Sequence, residues 1–412
     1  MYLKSGRSSL SLKLGDEGAA PVFVRIKIPM NRILLITFLL IFGLAGCAPK
    51  AEDEPHSSFV PVKPEPPEGM DPYAALGEYA DVLRSDPSVA ALFSDSALTA
   101  VTREYGPTVI SSRAFPYASG VLQASHTPWS SWWYPKKETS LFADSDSAHL
   151  SPLSQYDLVR KHRYKKAGRK APHAAAVFER KSSNSSALSW EGLCDAWALA
   201  SIIKPEPTRS VTLRLESGKV TFGVGAQKAL LLKTFEGVDD SSLLIHGQKF
   251  TGDFDGWLYP DMFPDQFHRF LEIQLGIKKQ GFVMDHDPGP QVWNVPVFKA
   301  NFTVNSIPGQ ADAVFVRAWV YSAESSPRDK KDFVGTIEAT REYDYVLLGV
   351  RNAAGDLVVK SGYWVVGPDG LDSRKDHPDY VMGIADPDRL VRKSWNPEIE
   401  VDIVDAILSG TD

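Results

Sequence analysis

The sequence predicts an α+β fold, with helices first and a largely antiparallel sheet after them. Three observations predict it. Helical periodicity dominates residues 73–102 and returns in CDAWALASII after Glu191. From Ser210 onward most segments alternate apolar and polar residues over strand-like lengths. The connections between those segments are short and rich in Gly, Asn, Asp and Ser, as antiparallel neighbours require.

The chain has 412 residues, 43% apolar and 23% charged, so it can bury a core. At roughly 100–200 residues per domain, this length suits about two to three domains, or one large domain with extensions. Net charge is −6. The first 46 residues hold six basic and two acidic side chains, which leaves 39 basic and 49 acidic in the remainder. Nucleic-acid binding needs a positive footprint and is therefore excluded. Two cysteines exclude a disulfide scaffold and any CxxC-type zinc site.

Met30-Asn31-Arg32 precedes an apolar run from Ile33 to Ala45, which ends at Gly46-Cys47. A basic start, a short apolar stretch and small residues at its end describe an export signal. The run is short for a membrane span. Leu44-Ala45-Gly46-Cys47 resembles the lipobox of bacterial lipoproteins. That resemblance implies lipidation of Cys47, with residues 1–46 as leader and signal peptide; the mixed-charge stretch 1–29 fits no signal peptide, so Met30 is the expected start. Export to a membrane or cell surface follows, held by lipid rather than by a spanning helix. Residues 47–72, rich in Pro and charge, read as a tether.

Residues 73–412 are the expected functional region. Residues 73–102 read as two short helices broken at Asp86-Pro87. Residues 106–150 carry aromatics and prolines without a period, and 160–181 read as a basic, solvated face. SVTLRLESGKVTFGV reads as a hairpin turning at Ser217-Gly218, and AQKALLLKTFEG as a helix ending at Gly237. GFVMD, VFKANFTVNSI, AVFVRAWVYSA, YDYVLLGVR and DLVVKSGYWVV read as strands, with Asn352–Asp356 as a hairpin loop. FHRFLEIQLG reads as a strand leading through a turn to GFVMD, or as a helix from His268 to Leu275. Asp253-Phe254-Asp255-Gly256 has only part of a calcium-loop pattern and reads as a turn.

With Cys47 lipidated, Cys194 is the one thiol left. Gly192 precedes it, and an apolar helix opens at it. A helix start presents unpaired N–H groups and partial positive charge, which favour thiolate and can hold an oxyanion. The indole N–H of Trp190 is a candidate second donor. In the strand–turn–strand reading His268 and Asp285 end up side by side, as base and orienter for the sulfur. Asp287 and Asn294 are alternative orienters, and His246, His286 and His377 compete with His268. The bland reading is a buried, inert cysteine and a structural histidine.

Several ordered blocks resemble the transglutaminase-elicitor family. They are Pro128–Pro135 (PWSSWWYP), Ser151–Asp157 (SPLSQYD), Trp190–Trp197 (WEGLCDAW) and Glu206-Pro207. Further along come Phe267-His268, Phe282–Asp285, Val292–Val297 (VWNVPV), Tyr363-Trp364 and His377–Tyr380. The resemblance implies a papain-like or transglutaminase-like core over 128–385, with 73–127 as a helical N-terminal part and 386–412 as a tail. It implies cysteine-dependent acyl transfer on protein glutamine, with Cys194 as nucleophile and His268 and Asp285 beside it. Trp190, Trp293 and Asn294 are the expected oxyanion or substrate-positioning residues. Expected partners are proteins or peptides bearing Gln, and a Lys or other amine as acceptor. No cofactor or metal ligand is implied, and calcium dependence is not legible. Leu193, Val295 and Gly362-Tyr363-Trp364 depart from the family pattern, which bears on substrate choice. A cysteine peptidase or amidase using the same residues, and a non-enzymatic surface-binding lipoprotein, are the alternatives.

Overall fold

A computed structural model describes residues 76–77, 81, 105–111, 120–170, 173–247 and 262–411. The export signal, Cys47, the tether, most of 73–102 and Asp253–Gly256 lie outside the described residues.

Among the described residues, nine strands form one sheet in the order β1-β10-β9-β8-β7-β6-β11-β5, with β2 also on β7, and every pairing is antiparallel. Its spine is three long strands, β7 (Asn294–Ile307), β8 (Gln310–Ala323) and β9 (Glu338–Arg351). β7 turns into β8 through Pro308-Gly309, since Ile307 pairs with Gln310. Gly309 has φ +75°, a conformation glycine adopts freely, and proline pre-sets the position before it. β10 (Leu357–Trp364) returns after the Asn352–Asp356 loop, where the Asn352 side chain accepts from the Ala354 and Asp356 N–H groups. β6 (Phe282–Asp285) and β11 (Tyr380–Ile384) extend the sheet to β5 (Leu243–Gly247). The short strands β1 (Val109–Ile110) and β2 (Gly120–Gln123) complete it.

Alternation along the strands divides the interior into two main cores. On β6, Val283 joins one apolar cluster while Phe282 and Met284 join the other. On β11, Met382 and Ile384 share the cluster of Val283, and Val381 shares that of Phe282. Successive side chains on a strand point to opposite faces, so the sheet separates these clusters.

The first face is covered by α3 (Cys194–Ile203), which contacts β6 and β7, and by the helices behind it. α1 (Pro152–Lys166) starts at Ser151, whose hydroxyl accepts from the Ser154 N–H, with Pro152 at its first position. α2 (Ala175–Ser182) and α4 (Val224–Lys233) pack on α1, beside the small β3–β4 hairpin (Val211–Leu215, Gly218–Phe222). The C-terminal segment is built into this core rather than trailing from it. α6 (Val401–Ser409) buries Ile403, Val404 and Ile407, and Arg160 pairs with both Glu398 and Glu400.

The second face is covered by α5 (Pro264–Leu271), which contacts β9 and β10 and runs into a π-helical segment, Glu272–Ile277. The stretch from His268 is therefore helical, the second of the two readings its sequence allows. Phe267, Phe270 and Leu271 are buried together there, which is the spacing of a helix face.

Candidate active site

Cys194 is the first residue of α3, as its sequence predicts. The approach is built on Gly192. A Cβ there would stand 2.4 Å from the Trp133 ring and 3.1 Å from the Pro135 backbone, so only glycine fits. The Leu193 N–H donates to the Trp133 carbonyl at 2.8 Å and fixes the turn that delivers the cysteine. Trp197, one turn on, anchors α3 by donating its indole N–H to the Trp129 carbonyl at 2.9 Å.

Cys194 is 7% exposed. Its thiol donates weakly to the Val292 carbonyl at 3.9 Å. The backbone N–H groups of Asn294 and Asp195 point at it and favour thiolate, whereas burial and the carboxylates of Asp195 and Asp285 oppose it. Burial dominates, and the thiol is pushed up to about 12. The helix start thus does not hold the sulfur ionised. Part of the reason lies next door: the half-buried Asp195 carboxylate accepts from the Ala196 N–H at 2.7 Å. That bond occupies a first-turn donor and sets negative charge against the positive end of the helix. Burial raises Asp195 itself to about 6.

Three adjacent strands present a row of polar residues to this sulfur. Asn294 on β7 pairs in register with Asp285 on β6, and Asp285 pairs with Tyr380 on β11. Alternation puts Asp285 on the face of Val283, the face that α3 covers, and its charge acts on Cys194. Asp285 is fully buried. Its Oδ1 accepts from the Trp293 N–H at 2.8 Å, and its Oδ2 has no hydrogen-bond partner. Burial first, then the neighbouring Asp379, raise it to about 7. Trp293 stands edge-on to Trp133 with ring centroids 5.6 Å apart, and Trp132 tilts against Trp133 at 5.8 Å. These indoles pack in and against the apolar cluster that holds Cys194.

The structure therefore brings Cys194, Asp285, Trp293 and Asn294 together. Trp190 sits, partly buried, in the turn closed by the Glu191 N–H on the Leu188 carbonyl.

His268 is placed elsewhere, and the expected sulfur–imidazole pair is corrected. It lies in α5 on the second face, against Phe302 and Tyr345, so the sheet stands between its ring and Cys194. Its Nδ1 shares a 2.7 Å hydrogen bond with the Tyr345 hydroxyl, and Glu272 Oε1 lies 4.0 Å from Nε2. It is 2% exposed, and desolvation lowers its pKa. The pairing with Asp285 required His268 to start a strand beside β6, and a helix on the other face cannot supply that. Two of the competing histidines are accounted for on this second face as well. His377 stacks on Trp364, and His246 stands edge-on to Phe270.

From the sequence Tyr380 has no site role beyond its place in the His377–Tyr380 block, yet its hydroxyl donates to Asn294 Oδ1 at 3.0 Å. Its signal was available: Tyr380 begins an apolar run in step with Met382 and Ile384, which sets it on the cysteine's face.

No curated protein matches the chain in sequence. One solved structure, the GP42 transglutaminase from Phytophthora sojae, superposes with a TM-score of 0.51 at 17% identity, over 77% of this chain and 98% of that one. At that identity the likeness concerns the fold, and it agrees with the α+β reading. The family model described as transglutaminase elicitor matches residues 160–314, a span that includes Cys194, Asp285, Trp293 and Asn294. The resemblance read from the sequence blocks is thus the one the family match supports: residues 160–314 of this chain carry the transglutaminase-elicitor pattern.

Proposed function

We propose that this protein is a cysteine-dependent acyltransferase of the transglutaminase type, acting on protein glutamine through a thioester on Cys194. One observation carries the reading: a cysteine at a helix start and a carboxylate with a free oxygen share one buried face of the sheet. The family match and the transglutaminase named as a structural neighbour support it. The helix bearing the cysteine, laid on an antiparallel sheet, also supports a papain-like or transglutaminase-like core.

Asp285 takes the part first expected of His268. With its carboxyl raised to about 7, it is poised to accept and return a proton near neutral pH. The thiol is neutral at rest, so its proton moves to Asp285 as the sulfur attacks the glutamine carboxamide carbon. The S–C bond forms, the C–N bond breaks, and the proton leaves with ammonia. A primary amine then attacks the thioester and gives its proton to Asp285, and the sulfur leaves and is reprotonated. Water in place of the amine gives glutamate. The indoles of Trp132, Trp133 and Trp293 dehydrate the approach, which favours an amine over water. The N–H groups of Asn294 and Asp195 stabilise negative charge at the sulfur.

The test is incorporation of a labelled primary amine into a Gln-containing protein. Cys194→Ala abolishes it under this reading; incorporation that persists in Cys194→Ala overturns it. Export and lipidation at Cys47 belong to the same proposal. The intact mass of the membrane-extracted protein is expected to match a chain starting at Cys47 with its lipid.

A further inference from the structure

Tyr380 closes the His377–Tyr380 block but has no part in the chemistry described so far, yet its placement is specific. It lies on β11, in register with Asp285, while Asn294 lies on the far side of Asp285. Neighbouring strands are about 4.8 Å apart, so the phenol must reach across the Asp285 position to meet Asn294. It does so, and its hydroxyl donates to Asn294 Oδ1 at 3.0 Å. Asn294 is buried, and its own backbone N–H is one of the donors aimed at the Cys194 sulfur. The carboxamide is thus tied to β11 while the amide of the same residue serves the nucleophile. Asn294 also begins β7, directly after the Val292 carbonyl and Trp293, both of which meet the site. A strand start has fewer ladder bonds to fix it than a strand middle, and a side-chain tether there determines where the amide points.

Resting on the proposed role of Cys194, we propose that Tyr380 is a positioning residue: its hydroxyl holds Asn294 so that the Asn294 N–H stays directed at the cysteine sulfur. The phenol is suited to this because it remains a donor. Burial and the surrounding Asp285, Cys194 and Asp195 raise its pKa far out of the working range. The effect reaches the thiolate through Asn294 and not through Tyr380 itself.

The test uses the full chain and reads the sulfur directly, by the rate of Cys194 alkylation with iodoacetamide at fixed pH between 8 and 10, below the thiol's midpoint, where the rate follows the thiolate fraction. Tyr380→Phe keeps the ring and removes the tether. It is expected to slow alkylation at fixed pH roughly 3- to 10-fold, the factor one neutral hydrogen bond commonly supplies. In amine incorporation kcat falls while KM stays. The discriminating variant is Asn294→Ala, which keeps the backbone N–H but gives the phenol nothing to hold. In that background Tyr380→Phe is expected to have no further effect. An unchanged alkylation rate in Tyr380→Phe, or effects of the two substitutions that simply multiply, overturns the inference. This readout is independent of turnover. Cys194-dependent incorporation with Tyr380-independent alkylation sinks the positioning role alone. A coupled alkylation profile without any incorporation sinks the transferase reading alone.

Discussion

Gly192→Ala puts the construction of the site under direct strain. The added Cβ would meet Trp133 Cε3 at 2.4 Å and Cζ3 at 2.5 Å, with the Pro135 Cα at 3.1 Å on another side. Carbon atoms rest at about 3.5–4.0 Å, so the indole must retreat by about 1 Å. Backbone at Pro135 and the Leu193–Trp133 hydrogen bond limit how the loop can yield, and Trp293 and Trp132 stand behind the ring. Overpacking of this kind costs about 1–3 kcal/mol. A misplacement of about 1 Å near reacting groups costs on the order of 10²-fold in rate. Thermal denaturation and amine incorporation, measured on the same preparation, read the two consequences. The expected result is a melting temperature lowered by several degrees and a rate lowered about 100-fold. Trp133→Leu in the same chain is expected to restore part of the stability, since it removes the ring that clashes. A Gly192→Ala protein that melts and turns over like wild type would refute the steric reasoning.

Three further substitutions separate the roles of the charged groups. Asp285→Asn removes the proton acceptor and is expected to lower kcat by about 10²–10⁴-fold. The same variant should gain stability at alkaline pH. A carboxyl raised in the folded state from 3.8 to about 7 contributes stability present below pH 4 and lost as pH rises through 7. The melting-temperature difference between Asp285→Asn and wild type should therefore grow from pH 4 to pH 8, and a constant difference would contradict it. Asp195→Asn withdraws a negative charge beside the sulfur, so the alkylation midpoint of Cys194 is expected to fall by roughly one to two pH units. His268→Leu leaves the Tyr345 hydroxyl without its partner and is expected to cost about 1–3 kcal/mol of stability. Turnover of the folded protein should stay within about threefold. A 100-fold loss of kcat at unchanged stability would place His268 in the chemistry after all.

What the sequence disclosed follows from where its signals are local. The helix opening at Cys194, the Ser217-Gly218 hairpin and the long strands Asn294–Ile307, Gln310–Ala323 and Glu338–Arg351 each carry a period or a turn residue, and each is found in the structure. Asp285 was legible as a strand end, and Asn294 and Trp293 from their block. His268 was misread because FHRFLEIQLG has apolar residues that satisfy a strand or a helix. The choice was made by burial of Phe267, Phe270 and Leu271 on one helix face against β9 and β10, a tertiary effect. The protonated state of Cys194 was equally invisible. A helix start favours thiolate, but burial and the adjacent Asp195 outweigh it, and burial is not written in neighbouring residues. Tyr380 lies 86 residues from the asparagine it holds, and only strand register brings them together.

The most direct measurement is the intact mass of the protein after a brief reaction with a glutamine-containing peptide and an acid quench. A covalent adduct on Cys194 equal to the peptide less ammonia is expected, discharged on addition of a primary amine and absent from Cys194→Ala. Ammonia release or amine transfer with no adduct, undiminished in Cys194→Ala, would contradict the assignment of the nucleophile.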